Sequence, residues 1–302
     1  MSCYMLSDYL KNTFGKKIHK LVLSTGMTCP NRDGTCGDKG CIFCSDSGSG
    51  EFAQDSRLPI IEQIENAKKN VPVSDKYIAY FQNFSNTYSS AEKIEELYSP
   101  IVKRDDIAVL SIATRPDCLP DDTIEVLSRL NKIKPVWIEL GLQTIHEKTA
   151  AFIRRGYPLQ TYTDVVKKLK NENITIITHL ILGLPDETKS DMVESARFVG
   201  KITDGIKFHS LYITEGTDLA NLYKSGSIKL LTKEEYIDTL CECIRGLHKN
   251  VVIHRLTGDP DKKCLVAPMW TKDKVKLLKK ISDAFYDRNI VQGESLTESS
   301  YN

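Results

Sequence analysis

Cys29-Pro-Asn-Arg-Asp-Gly-Thr-Cys36-Gly-Asp-Lys-Gly-Cys41-Ile-Phe-Cys44 places four thiols within sixteen residues, directly after the apolar-periodic segment Ile18 to Thr25. A C-x2-C pair plus one further thiolate, on a Gly-rich loop leaving a strand, suits a [4Fe-4S] cluster with three ligated irons and a fourth left open. An open iron is a coordination site for a reactant. Cys41 and Cys44 form the tight pair and Cys29 stands at the strand exit, so these three are the expected metal ligands. All four thiols acting together, Cys36 included, would instead close a tetrahedral zinc site.

Outward from this loop, short runs rich in Ile, Val and Tyr alternate with longer helical patterns about six times before residue 215. That alternation is the signature of βα units. Strands are expected over Ile18 to Thr25, Tyr77 to Gln82, Ile107 to Ala113, Pro135 to Leu142, Ile174 to Leu182 and Gly205 to Ile213. Helices are expected near Ile60 to Asn70, Ala91 to Val102, Asp121 to Asn131, Gln160 to Asn171 and Lys189 to Lys201, with starts marked at Ser90, Pro120 and the Thr188 to Asp191 capping box. Parallel strands with helical crossovers form a barrel or an open sheet, and either gathers ligands at the carboxyl ends of its strands. The segments after the strands are polar, as such a site requires: Gln82 to Thr87, Thr114 to Asp117, Gln143-Thr144 and Gly183 to Pro185. After residue 215 the pattern changes to a helix over Thr232 to His248, a short strand over Val251 to His254 and a Lys-rich helix over Thr271 to Asn289, and the polar tail from Gln292 is expected to fray.

The 302 residues carry 41 Lys and Arg against 40 Asp and Glu, so no global basic field announces nucleic acid. Local lysine groups exist at positions 272, 274, 276, 279 and 280, and at 11, 16, 17 and 20. They read as a phosphate-tracking surface or as solvated helix faces. No secretory or membrane-spanning stretch is visible, so a cytoplasmic protein without membrane contact is expected, and its nine cysteines read as reduced thiols or metal ligands. Cys3, Cys118, Cys241, Cys243 and Cys264 read mostly as small buried apolar residues.

The block Thr28 to Phe52, with Gly141 to Thr144, Arg154-Arg155-Gly156, His179 to Pro185 and Val252 to Asp259, resembles the YhcC/YtqA-type radical S-adenosylmethionine (SAM) proteins, a group related to the catalytic subunit of Elongator. The resemblance runs over nearly the whole chain. It implies an α/β fold, a partial (β/α)6 barrel over residues 1–230 with a mostly helical extension over 231–302. It implies a [4Fe-4S] cluster and SAM as cofactors, an electron donor such as flavodoxin or ferredoxin, and reductive cleavage of SAM to a 5′-deoxyadenosyl radical. A barrel interior suits such chemistry because it excludes water.

By the same resemblance, SAM is expected against Gln82 and Asn83, which stand where related enzymes carry Gly-Gly-Glu, and against Thr114 and Arg115 at the third strand exit. Gln143 and Arg155 match SAM-proximal residues of the coproporphyrinogen-oxidase-like branch, and His179 takes the slot of an acid that contacts the ribose. Arg155 suits a carboxylate because a guanidinium holds it bidentately. Relatives of the YtqA type imply a transfer RNA substrate, with wobble-uridine carboxymethylaminomethyl groups converted to aminomethyl. Two readings of other classes stay open: a radical SAM enzyme acting on a small metabolite or protein, and a zinc-bound RNA-binding module without catalysis.

Overall fold

A computed structural model describes residues 3–46, 48 and 52–296. Its elements in chain order are α1 (Leu6–Phe14), β1 (His19–Leu23), α2 (Ile60–Lys68), β2 (Tyr77–Phe81), α3 (Ala91–Val102), β3 (Ile107–Thr114), α4 (Asp121–Asn131), β4 (Val136–Gln143), α5 (Glu147–Phe152), α6 (Leu159–Asn171), β5 (Thr175–Leu182) and α7 (Lys189–Ile202). There follow β6 (Gly205–Ser210), β7 (Ile213–Thr214), α8 (Asp218–Lys224), α9 (Lys233–Arg245), β8 (Val252–Arg255), β9 (Leu265–Ala267) and α10 (Lys274–Asp287).

Seven parallel strands in the order β1-β2-β3-β4-β5-β6-β8 form one curled sheet, the half-barrel with helices on its outer face. Strands β2 and β3 are buried at every position, which is why they read as unbroken apolar runs. Three helix starts are fixed as their sequences require. Ser90 accepts from the Lys93 amide, and Thr188 with Asp191 and Thr232 with Glu235 form complete capping boxes. Helix α4 begins at Asp121 as expected, but Pro120 offers no capping side chain.

The partial barrel is borne out, and Val252–Arg255 adds a seventh strand to β6 in parallel, covering the edge that β6 would otherwise expose. Three expectations are corrected. Residues 211–213 leave that sheet, and Ile213–Thr214 pairs antiparallel with β9 in a separate ribbon. The tail is not frayed from Gln292: that side chain is buried, accepts from the Tyr4 amide at 2.8 Å and donates to the His248 and Val251 carbonyls. Expected fraying beyond residue 296 lies outside the described residues. Finally, Lys20 is no surface lysine; it lies 3.6 Å from the fully buried Glu139 carboxylate.

Helix α1, which the sequence reading did not mark, explains how the barrel is stoppered. Its Leu6, Tyr9, Leu10 and Phe14 pack with the inward-facing Ile78, Val109, Trp137 and Ile177. The Tyr9 ring meets Trp137 edge-on at 5.8 Å. An apolar plug thus fills the amino-terminal end of the barrel and leaves the carboxyl-terminal end for the site.

Candidate active site

Strand alternation sends every second side chain inward, and one cavity at the carboxyl ends of the strands collects them. It is walled by Cys29, Cys41 and Cys44 from the loop after β1, by Gln82 after β2, by Thr114 and Arg115 at the end of β3, by Glu139, Gly141 and Gln143 of β4, by His179 of β5, by His209 of β6 and by Arg255 of β8. Cys36 is exposed and is not part of that wall. Of the five remaining cysteines, four are buried as expected and Cys264 is exposed.

The cysteine loop is tied to the turn after α5. The buried Asn31 donates to the Cys41 sulfur at 3.5 Å and to the Arg154 carbonyl. Burial, with the neighbouring Cys44, pushes the Cys41 thiol up to about 12. Gly156 has φ +81° and lies so close that a Cβ there would sit 2.5 Å from Asn31 Oδ1. Glycine is required on both counts.

A mononuclear zinc with Zn–S bonds of about 2.3 Å needs sulfurs about 3.8 Å apart. Among the described residues, the one set of three His, Cys, Asp or Glu groups with ligand atoms within 4.8 Å of one another is His146, Asp191 and Glu194. The four thiols are therefore not drawn together as a zinc site would have them. A cubane cluster bonds each thiolate to a different iron, so its donors stand apart around one space; three thiols spaced along one cavity wall fit that donor set.

The predicted SAM contacts divide. Gln82, Thr114, Arg115, Gln143, Arg155 and His179 all reach the cavity, whereas Asn83 does not line it and donates to Ser24 Oγ at 3.0 Å. Thr114 Oγ1 is 2.6 Å from Thr87 Oγ1. Gln143 has φ +72° beside a register shift in β4, a strained conformation of the kind held at ligand sites. Arg115 pairs with Asp117 at 2.6 Å and donates to the Arg155 carbonyl at 2.8 Å. Arg155 is buried, and its guanidinium donates to the carbonyls of Thr144 (2.7 Å) and Tyr157 (2.9 Å) and to Glu147 (3.2 Å). It pins the turn that follows Gln143, and Tyr157 lies under both guanidinium groups, 5.0 and 4.8 Å from ring centroid to carbon. Gly183 to Pro185 do not line the cavity, and Leu184 shares an apolar cluster with Leu211, which does.

Beneath these groups lies a charged layer that the sequence reading missed. Glu139 is fully buried and accepts from Ser111 Oγ (2.8 Å), His179 Nε2 (2.8 Å) and Lys207 Nζ, with Lys20 at 3.6 Å. Lys207 also donates to Tyr80 at 2.9 Å and sits over its ring. Burial alone would raise the Glu139 carboxyl, but Lys207, Lys20 and His179 hold it well below the usual range. Burial and Lys207 push His179 down to about 4 although Glu139 opposes them, so the imidazole is neutral at pH 7. The available signal was a lone charge in an apolar strand run, Glu139 in Val136 to Leu140 and Lys207 in Gly205 to Phe208. Trp270 packs on Tyr236 and donates to the Leu231 carbonyl.

Residues 25–199 match the family model of the radical SAM superfamily, and residues 203–287 match that of the Radical_SAM C-terminal domain. The chain belongs to the radical SAM superfamily and is a radical SAM enzyme, with a [4Fe-4S] cluster and SAM as its cofactors. It is 38% identical over 295 residues to the protein YtqA of Bacillus subtilis (strain 168), covering 96% of this chain and 92% of that protein. A tRNA uridine(34) acetyltransferase of Methanocaldococcus jannaschii is 27% identical over 178 residues, 57% of this chain and 31% of that one. Among solved structures, the archaeal Methanocaldococcus infernus Elp3 superposes with a TM-score of 0.67 at 18% identity, covering 91% of this chain and 65% of that chain. That likeness establishes the shared fold. No helix among the described residues is long and apolar enough to cross a membrane.

Proposed function

We propose that Cys29, Cys41 and Cys44 hold the cluster, that Gln82, Thr114, Arg115, Gln143 and His179 line the SAM pocket, and that the enzyme modifies wobble uridine in transfer RNA, converting carboxymethylaminomethyl to aminomethyl groups. The carrying observation is that three of the loop's four thiols share one cavity wall with the residues expected around SAM, while Cys36 lies outside it. The likeness to a tRNA uridine(34) acetyltransferase supports the RNA substrate. Nothing in the arrangement of the thiols favours the zinc-module reading.

Cys29, Cys41 and Cys44 would hold the cluster and Gln82, Thr114, Arg115, Gln143 and His179 would line the SAM site, and the chemistry supplied there would be one-electron reductive cleavage of SAM for hydrogen abstraction. The chain's own residues do the rest. Asn31 fixes Cys41 within the loop, and Arg155 fixes the turn that presents Gln143. The plug of α1 and Trp137 fills the amino-terminal end of the barrel, so water is kept from entering the interior from that side. An external donor such as flavodoxin or ferredoxin would deliver the electron to the loop at the barrel mouth.

Two measurements test this reading. The reconstituted, anaerobic protein releases 5′-deoxyadenosine faster when transfer RNA from cells lacking the gene is added, and those cells accumulate the carboxymethylaminomethyl nucleoside in mass spectra. An unchanged nucleoside profile, with turnover indifferent to RNA, would assign the enzyme to a small metabolite or protein instead.

A further inference from the structure

Around the interior carboxylate at the base of the cavity, cations outnumber acids. Three cations, Lys20, Lys207 and Arg255, share the interior with one buried carboxylate, Glu139. Glu139 is saturated by Ser111, His179, Lys207 and Lys20. The other carboxylate lining the cavity, Asp259, is paired with Lys274 at 2.5 Å. The Arg255 side chain extends from β8 into this space and makes neither a hydrogen bond nor an ion pair with another side chain among the described residues. Beside it, His209 Nε2 is buried without a hydrogen-bond partner, its ring 5.3 Å from that of His179. Burial and Arg255 together push the His209 imidazole well below its usual range, so it stays neutral and, in the tautomer protonated at Nε2, offers a donor.

A partly buried guanidinium with no acceptor is costly unless a ligand supplies one. Its planar fork matches an oxyanion bidentately. An RNA backbone phosphodiester carries a ribose on each side and cannot enter end-on at barrel depth. A terminal group on a flexible arm can.

We infer that the substrate presents a carboxylate to Arg255 and His209, so that the base of the cavity selects the side arm to be modified. The inference rests on the proposed reading of the cavity as the reaction site, which it deepens by naming the group that is read.

Arg255→Gln tests it. Because Arg255 pairs with no other side chain and repels Lys20 and Lys207, its loss is expected to leave the melting temperature equal or higher; a structural arginine would lower it. Acetate and glycinate are titrated into the SAM-loaded holoprotein, with acetamide as the neutral isostere and inorganic phosphate as the alternative oxyanion. The carboxylates should bind the wild type, acetamide should not, and R255Q should weaken carboxylate binding about tenfold or more. R255K should fall between the two, since an ammonium keeps the charge and loses the fork. Equal binding by wild type and R255Q, or none by either, overturns the inference, and tighter binding of phosphate overturns the carboxylate assignment. Loss of SAM affinity in R255Q would assign the guanidinium to the methionyl carboxylate and also overturn it. None of these titrations contains RNA, so failure of the RNA reading, seen as RNA-independent turnover by the wild type, registers separately.

Discussion

Replacing Glu139 by alanine should destabilise the fold more than any single change on the protein's surface. The carboxylate is the sole acid at the centre of four donors, and its removal leaves Lys207, 1% exposed, as a buried charge with only the Tyr80 hydroxyl for company. Breaking a buried pair on one side costs about 3–5 kcal/mol. At roughly 2–4 °C per kcal/mol for a chain of this size class, the melting temperature falls by about 6–20 °C. The loss depends on pH with a definite sign. Burial, together with Lys20 and Arg255, holds Lys207 below its ordinary value in the wild type, and Glu139 opposes the shift. Without Glu139 the folded-state value drops further, so between it and the unfolded value of about 10.4 the folded protein binds fewer protons. Stability of E139A therefore rises as pH increases through that window, and its deficit against wild type shrinks over the part of the window in which the wild-type Lys207 is still charged. Adding Lys207→Met to E139A should recover much of the loss, because the unpaired charge is gone. Thermal unfolding of the four proteins of this double-mutant cycle at pH 7 and pH 9 checks all three statements. A melting temperature for E139A within 2 °C of wild type, or no recovery with K207M, would show that the interior network is not held by this ion pair.

Two further predictions concern the loop that opens the site. Cys29→Ser, Cys41→Ser and Cys44→Ser should each lose most of the iron retained after anaerobic reconstitution, while Cys36→Ser, which alters an exposed thiol off the cavity wall, should keep it; iron and sulfide analysis decides, and iron loss in C36S would place a fourth thiolate on the metal. Gly156→Ala must accept φ +81° and a Cβ 2.5 Å from Asn31 Oδ1, so we expect a loss of about 2–3 kcal/mol in urea unfolding and faster release of iron as Asn31 withdraws from Cys41; a change below 0.5 kcal/mol would mean that the loop and the turn after α5 are not coupled.

The βα alternation was legible because the central parallel strands are buried on both faces and the helices on one, so burial writes itself into local sequence as short apolar runs and 3.6-residue stripes. The strand edges accordingly fell within a residue or two of Tyr77–Phe81 and Thr175–Leu182. Helix α1 escaped because its apolar side faces the barrel interior rather than a neighbouring helix, and nothing local says where Leu6 and Leu10 will dock. The seventh strand was visible as four apolar-flanked residues, but its pairing with β6 is a property of topology. The thiol loop stood out because four residues of a rare type fall within sixteen positions. The charged interior was not, since Glu139 and Lys207 stand 68 positions apart, each a single polar letter in an apolar strand. Only when strands curl around one axis does an inward glutamate on β4 come to face an inward lysine on β6, with Tyr80, His179 and Arg255 completing the ring. The fold must form before that charge balance exists, and in it the acid of one strand answers the cations of two others while Arg255 is left over. A barrel built for stability alone would put leucine at these positions. On the reading proposed above, the retained cationic excess answers what the cavity receives.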